Sequence, residues 1–340
     1  MPGHPSLATA RDHGRLSAIS TFLKGSIAQP EHGITADCPR HRWQWRHFLH
    51  RIPIRGITLL ALFLGAVPLV AEVGELEKAK ALYQDKHYAE AQAAFEKIIA
   101  TEPGNPAAAY HLGALALRRG EVPEAIRQLE AATRMDPTSA LYQQELGDAY
   151  GAAAEKAALI SKLGLAKKAL SAYQRAIKLE PESIEHRLRL MNYYAQAPRL
   201  AAGGIEKAYD VAETIRTRDP LQGGLAIISL HLGEKRWPQA FAEIDALQPL
   251  HSENPHFLYL LARVCAASGQ QLDRGETALL HYLSLAPSKG PATPAQANSL
   301  LGTIREKAGN RTGAITAHRA ALALDGNLTA AHEALGRLRR

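Results

Sequence analysis

Two blocks of this chain share one pattern of apolar and polar positions. ALYQDKHYAEAQAAFEKIIATEP spans residues 81–103, and HLGALALRRGEVPEAIRQLEAATRMDP spans residues 111–137. In both, a Glu-Ala pair is followed by a large apolar residue four places after the alanine. A proline follows twelve places after the same alanine. The pairing recurs as Ala91 with Pro103, Ala125 with Pro137, Ala169 with Pro181, Ala208 with Pro220 and Gly275 with Pro287. Ala240 and Ala314 head two further copies, in which Ser252 and Gly326 replace the proline. Self-similarity at such a period predicts an array of stacked units rather than one globule.

The physics of each unit follows from its residues. A small residue at Gly113 lets a first helix approach a second closely, where Ala125 faces it. Ala132 leaves a shallow surface for the next unit. Pro137 stops the second helix, because proline has no amide donor and its ring clashes one turn back. Each helix pair leaves one apolar face uncovered, and stacking covers it. Gly147 and Gly302 stand at the same small-residue position as Gly113. Met191, Ile228 and Arg263 replace it in three other units, where spacing or tilt should differ.

This pattern resembles the tetratricopeptide repeat family: Leu112-Gly113, Ala125, Leu129, Ala132 and Pro137 stand in its order within residues 106–139. The resemblance implies an all-α fold, a right-handed superhelix of antiparallel helix pairs. Seven repeats are expected, at 72–105, 106–139, 140–183, 184–222, 223–254, 255–289 and 295–328. A C-terminal capping helix over 329–340 would bury Ala331, Leu335 and Leu338, and its Arg337, Arg339 and Arg340 complement the helix dipole.

Successive Ala or Gly markers are 34, 44, 39, 32, 35 and 39 residues apart, so the third unit is stretched by about one helical length of ten residues. The insertion at 152–161 is rich in helix formers. Gly164 is its expected turn, and Leu159, Ile160 and Leu163 give it an apolar stripe. The next insertion, 195–204, reads as a loop through Pro198 and Gly203-Gly204. The two elongations either pack on one another or build a wall of a binding site.

Upstream, residues 40–55 contain five Arg and two Trp and no acid, and residues 57–71, ITLLALFLGAVPLVA, carry no charge. A basic flank before a fifteen-residue apolar run is the pattern of a signal segment, short for a membrane span of about 20 residues. Cleavage is expected near Ala71, giving a periplasmic or exported protein. Retention of Ile57 to Ala71 as an inner-membrane anchor is the alternative, with possible membrane association through that segment. Residues 1–39 show no periodicity and are expected to be disordered.

The chain's net charge is +7. Residues 1–71 contribute eight basic and three acidic side chains, and the remaining residues nearly balance. No basic stripe follows residue 71, so nucleic acid is not an expected partner. The two cysteines, Cys38 and Cys265, lie on either side of the expected cleavage point. Neither a phosphate-binding Gly-Lys-Ser/Thr loop nor a Gly-x-Ser-x-Gly elbow occurs. His251 and His256 are five apart across Pro255, and zinc needs at least three convergent ligands. No enzyme activity, cofactor or metal is expected.

What remains is protein binding. In the family the first helices line a concave groove, and mapping its positions selects Tyr83, Tyr110, Arg118, Gln144, Asp148, Leu188, Asn192 and Gln196. Mixed aromatic, amide and charged groups suit a peptide or a partner helix. Leu76 and Tyr110 stand where a two-lysine clamp for an acidic C-terminus would need basic groups, which argues against that clamp. The expected role is a non-enzymatic scaffold in the cell envelope. The alternatives are a membrane-anchored assembly factor for an envelope or secretion complex and a cytoplasmic adaptor.

Overall fold

The computed structural model describes residues 69–285 and 290–339. Pro287, Arg340 and the basic and apolar segment up to residue 68 lie outside the described residues. The described chain divides into two compact units, one ending at Ala94 and a larger one beginning at Phe95. Its regular structure is helical throughout: fifteen α-helices and one short 3₁₀ turn among the described residues.

The first unit holds α1 (Leu69–Gln84) and the start of α2 (Tyr88–Thr101). Tyr83 and Tyr88 meet edge to face across the turn between them, with ring centroids 5.7 Å apart. In the larger unit, consecutive helices pair and each pair packs on the next. The pairs are α3 (Pro106–Arg119) with α4 (Val122–Met135), α5 (Ala140–Lys156) with α6 (Leu159–Leu179), and α7 (Ile184–Gln196) with α8 (Ile205–Arg216). Then come α9 (Pro220–Glu234) with α10 (Trp237–His251), α11 (Pro255–Ser268) with α12 (Leu272–Leu285), and α13 (Pro294–Lys307) with α14 (Arg311–Leu324). The final helix is α15 (Thr329–Leu338).

Local sequence sets the helix starts. Asn105, Ser139, Ser183, Asp219, Asn254 and Thr293 each accept an amide hydrogen bond with the side chain, closing the first turn of a first helix. Proline follows the cap in α3, α9, α11 and α13, where its missing N–H costs nothing. Pro220 therefore does not end a helix as its place in the repeat predicts. The preceding helix, α8, stops at Arg216, and Pro220 opens α9.

The pairs are held by close approach through a missing side chain. A methyl group on Gly113 would lie 2.6 Å from Cγ of Leu129, one on Gly147 2.7 Å from the Tyr173 ring, and one on Gly302 2.5 Å from the His318 ring. These are the predicted small-residue positions, and each meets the side chain four places after Ala125, Ala169 or Ala314. Where that position is filled, the small residue moves. In α9/α10 the contact is Gly224 against Leu247, with Ile228 fully buried; in α11/α12 it is Gly275 against Cys265. Met191 is buried with Ala208 and Ala212 in the α7/α8 core.

The stretched third repeat lengthens both helices. Gly147 stands nine residues before the end of α5, against six from Gly113 to the end of α3. Ala169 stands ten residues into α6, against three for Ala125 in α4. The turn is the extended pair Ala157-Ala158, not Gly164, which lies inside the 21-residue α6. The second insertion is a loop containing the 3₁₀ turn Arg199–Ala201, and a Cβ on Gly203 would overlap the Ala197 carbonyl. Ala201 is wholly buried with Ala154 and Ala166, Leu163 packs against them, and the Tyr193 hydroxyl donates to the Ala201 carbonyl at 2.5 Å. The two elongations thus pack on each other.

His318 shows the cost of this tight packing. It is 1% exposed, and neither ring nitrogen has a hydrogen-bond partner. Burial, helped by the positive charge of Arg337 and opposed by Glu306, holds its pKa below the ordinary 6.5. Below pH 6.5 the folded state therefore binds fewer protons than the unfolded chain, and this stability is lost as pH falls. His318→Leu should raise the unfolding free energy, read from denaturant melts, by about 1 kcal/mol at pH 7 and by more at pH 5. An unchanged difference between the two pH values would count against this account.

Candidate functional site

A network of polar side chains links α5 and α7, the first helices of two neighbouring pairs. Ser139 and Ser183 cap these helices and set their registers. From α5 come Gln144, Glu145 and Asp148; from α7 come Glu185, His186 and Arg189; Tyr173 reaches in from α6. The Tyr173 hydroxyl donates to Asp148 Oδ1 at 2.7 Å, and Arg189 Nη1 lies 3.4 Å from Asp148 Oδ2. Arg189 Nη2 is 3.8 Å from Glu185 Oε1, which also accepts from the Gln144 amide at 3.2 Å. Gln144 Oε1 is 2.6 Å from His186 Nδ1, and His186 Nε2 is 3.1 Å from Glu180 Oε2. Gln144 is 1% exposed, and the side chains of Arg189 and Asp148 are 16% and 20% exposed, so water reaches one edge.

The charges do not balance. Three carboxylates, Glu145, Asp148 and Glu185, share one guanidinium. Burial, then repulsion from Asp148 and Glu185, pushes Glu145 up to about 8 against the pull of Arg189. Burial also raises Asp148, opposed by Arg189 and the Tyr173 hydroxyl. Burial and the Asp148 charge hold the Tyr173 phenol well above its usual range. Burial pulls the Arg189 guanidinium down, but the surrounding carboxylates more than offset it and keep it charged. The acidic side chains in this cluster outnumber its basic ones. The cluster holds no nucleophile beside a base, and among the described residues no group of three metal-ligating side chains converges.

The positions selected from the sequence fall in different surroundings. Gln144 and Asp148 belong to this cluster. Tyr110 is buried, stacked on Tyr142 with centroids 4.9 Å apart. Leu188 packs against the α7/α8/α9 core. Asn192 and Gln196 are half-buried farther along α7, Arg118 is exposed near the end of α3, and Tyr83 lies in the first unit. Glu145, Glu185, His186 and Arg189 were not selected. Their signal was present as acid pairs and an acid–Arg pair three or four residues apart, which share a helix face. A second, open cleft of about 300 Å³ lies between α5 and α6, where Lys168 stands over the Tyr150 ring.

A tetratricopeptide repeat family model matches residues 82–146, which hold α3, α4 and the Gly113 contact. Over those residues the chain carries the tetratricopeptide repeat pattern. Its fold is like that of a tetratricopeptide repeat protein from Parabacteroides merdae, at 16% identity and a TM-score of 0.56, over 80% of this chain and all of that one. PilW, a widely conserved type IV pilus biogenesis factor, aligns at 15% identity and a TM-score of 0.42, over 79% of this chain and all of that one. TTC0263 of Thermus thermophilus aligns at 16% and 0.34, over 78% and 98% of the two chains. No curated protein matches this repeat protein. Proteins of this repeat class are generally non-enzymatic scaffolds for other proteins.

Glu145 yields a pH prediction. Between its ordinary 4.5 and about 8, the folded state holds a proton that the unfolded chain has released. Stability conferred by that proton is present below 4.5 and lost as pH rises through 8. Glu145→Gln should therefore stabilise by roughly 1–3 kcal/mol at pH 8.5 and by little at pH 4.5. Denaturant midpoints at the two pH values test this, and equal gains at both would refute it.

Proposed function

We propose that this protein is a non-enzymatic scaffold that binds a peptide or partner helix on the face shared by α5 and α7, within the cell envelope. The observation that carries the reading is the gathering of three acidic side chains, Glu145, Asp148 and Glu185, around the single guanidinium of Arg189. A lysine or arginine of the partner would complete the cluster through charge-assisted hydrogen bonds in a partly desolvated site. The half-buried Asn192 and Gln196 extend the same helix with amides able to hold a peptide backbone. Because Glu145 loses a proton as the cation enters, binding should tighten from pH 6 to pH 8.

The envelope location is supported by the basic flank and the apolar run Ile57 to Ala71. A mature amino terminus near Glu72, read from the intact mass of the protein purified from its host, is the expected result. A membrane-bound form retaining residues 40–71 would replace it with the anchored assembly-factor reading.

Asp148→Asn with Glu185→Gln should weaken binding of a captured basic segment about tenfold while leaving the circular dichroism spectrum unchanged. Calorimetry at low and high salt measures this. Unaltered affinity in a folded variant would remove the cluster from the binding surface.

A further inference from the structure

The two elongated connections end in an exposed apolar tip. Ile160, Leu200 and Leu159 are 87%, 75% and 70% exposed, and among the described residues only Leu250, at 82%, competes with them among large apolar side chains. They stand together in the fold: Leu163, one turn from Leu159, packs with Ala201, the neighbour of Leu200. The tip also projects. Relative to Ala169, α6 begins seven residues earlier than α4 does relative to Ala125, about 10 Å of additional helix.

Charge surrounds this tip. Lys156, Lys162 and Arg199 flank it, and no ion pair engages any of the three among the described residues. Lys207 is held beside it by its bond to the Ala202 carbonyl. Glu155 and Glu206 are the acids in the two segments, so the balance is positive. The amino terminus of α6 lies at the same place without a side-chain cap, leaving first-turn amides to donate to an anion.

We propose that this tip inserts into the surface of an anionic lipid bilayer. Leu159, Ile160 and Leu200 enter the headgroup–acyl boundary, while Lys156, Lys162, Arg199 and the α6 amides meet lipid phosphates. An apolar protein groove would take the leucines but would have to strip water from the flanking cations, whereas a headgroup layer takes both. A second copy is a poor occupant, since three side chains offer far less than the roughly 1,600 Å² of a stable interface.

The full chain carries the uncharged apolar run of residues 57–71, a second candidate for lipid contact, so the test reads local depth. In a Cys38→Ser background, where Cys265 is buried, nitroxide labels are placed on Ile160→Cys and, separately, Leu250→Cys. In phosphatidylglycerol vesicles the label at 160 should gain oxygen and lose nickel-complex accessibility, and the label at 250 should stay aqueous. Pure phosphatidylcholine vesicles or free phosphate should leave both aqueous. Lys156→Glu with Lys162→Glu and Arg199→Glu should reduce the buried fraction at 160 about tenfold or more. An aqueous label at 160 in anionic vesicles, equal depth at 160 and 250, or spin–spin broadening at 160 without lipid would each overturn the proposal. The last would instead mark contact between copies.

Discussion

Close approach of two helices through a missing side chain is the constraint on which this structure rests. Three pairs make it in one way, with a glycine of the first helix receiving Leu129, Tyr173 or His318 of the second. A side chain filling that space forces the interdigitating partner out of its rotamer, and tightly packed interiors resist such changes. In α11/α12 the glycine stands on the second helix and receives Cys265 of the first; in α9/α10 it remains on the first helix but shifts to Gly224, receiving Leu247. In these five pairs a gap meets a filler, and which helix supplies the gap differs between them. His318 is an imperfect filler, for it occupies the right volume but buries two unpaired nitrogens.

The same packing explains where polar chemistry can gather. Tyr173 fills the space above Gly147, which carries its hydroxyl to Asp148, one position along α5. Stacking of the next pair then brings Arg189 and Glu185 against α5. Carboxylates that would be unremarkable on an isolated helix become partly desolvated and mutually repulsive once two first helices lie side by side. The electrostatic character of this site belongs to the stack, not to either repeat.

Much of the fold could be read from the residues. The glycines at 113, 147 and 302 and the alanines twelve or more places later mark three close contacts, because small size at a fixed spacing has one structural use. The caps at Asn105, Ser183 and Thr293 rest on equally local contacts, although the repeat pattern does not single them out. The turn in the third repeat was not legible: Gly164 is the expected breaker, yet the chain turns at two alanines whose sequence is as helical as their surroundings. Pro220 was misplaced because proline both ends and begins helices, and the spacing alone does not say which. Of the site, Gln144 and Asp148 were named from family positions, while Glu145, Glu185 and Arg189 were passed over because their importance is a matter of burial.

The sequence by itself determined that this protein is built of paired helices held by small residues and that the third and fourth repeats are elongated. Those properties depend on contacts within a repeat, and local spacing encodes them. Only the tertiary structure decided that one elongation is helix and the other a loop seated against it, that Tyr110 is core, and that three carboxylates share Arg189. These outcomes depend on how much water each group loses when neighbouring repeats stack, and no single segment carries that information.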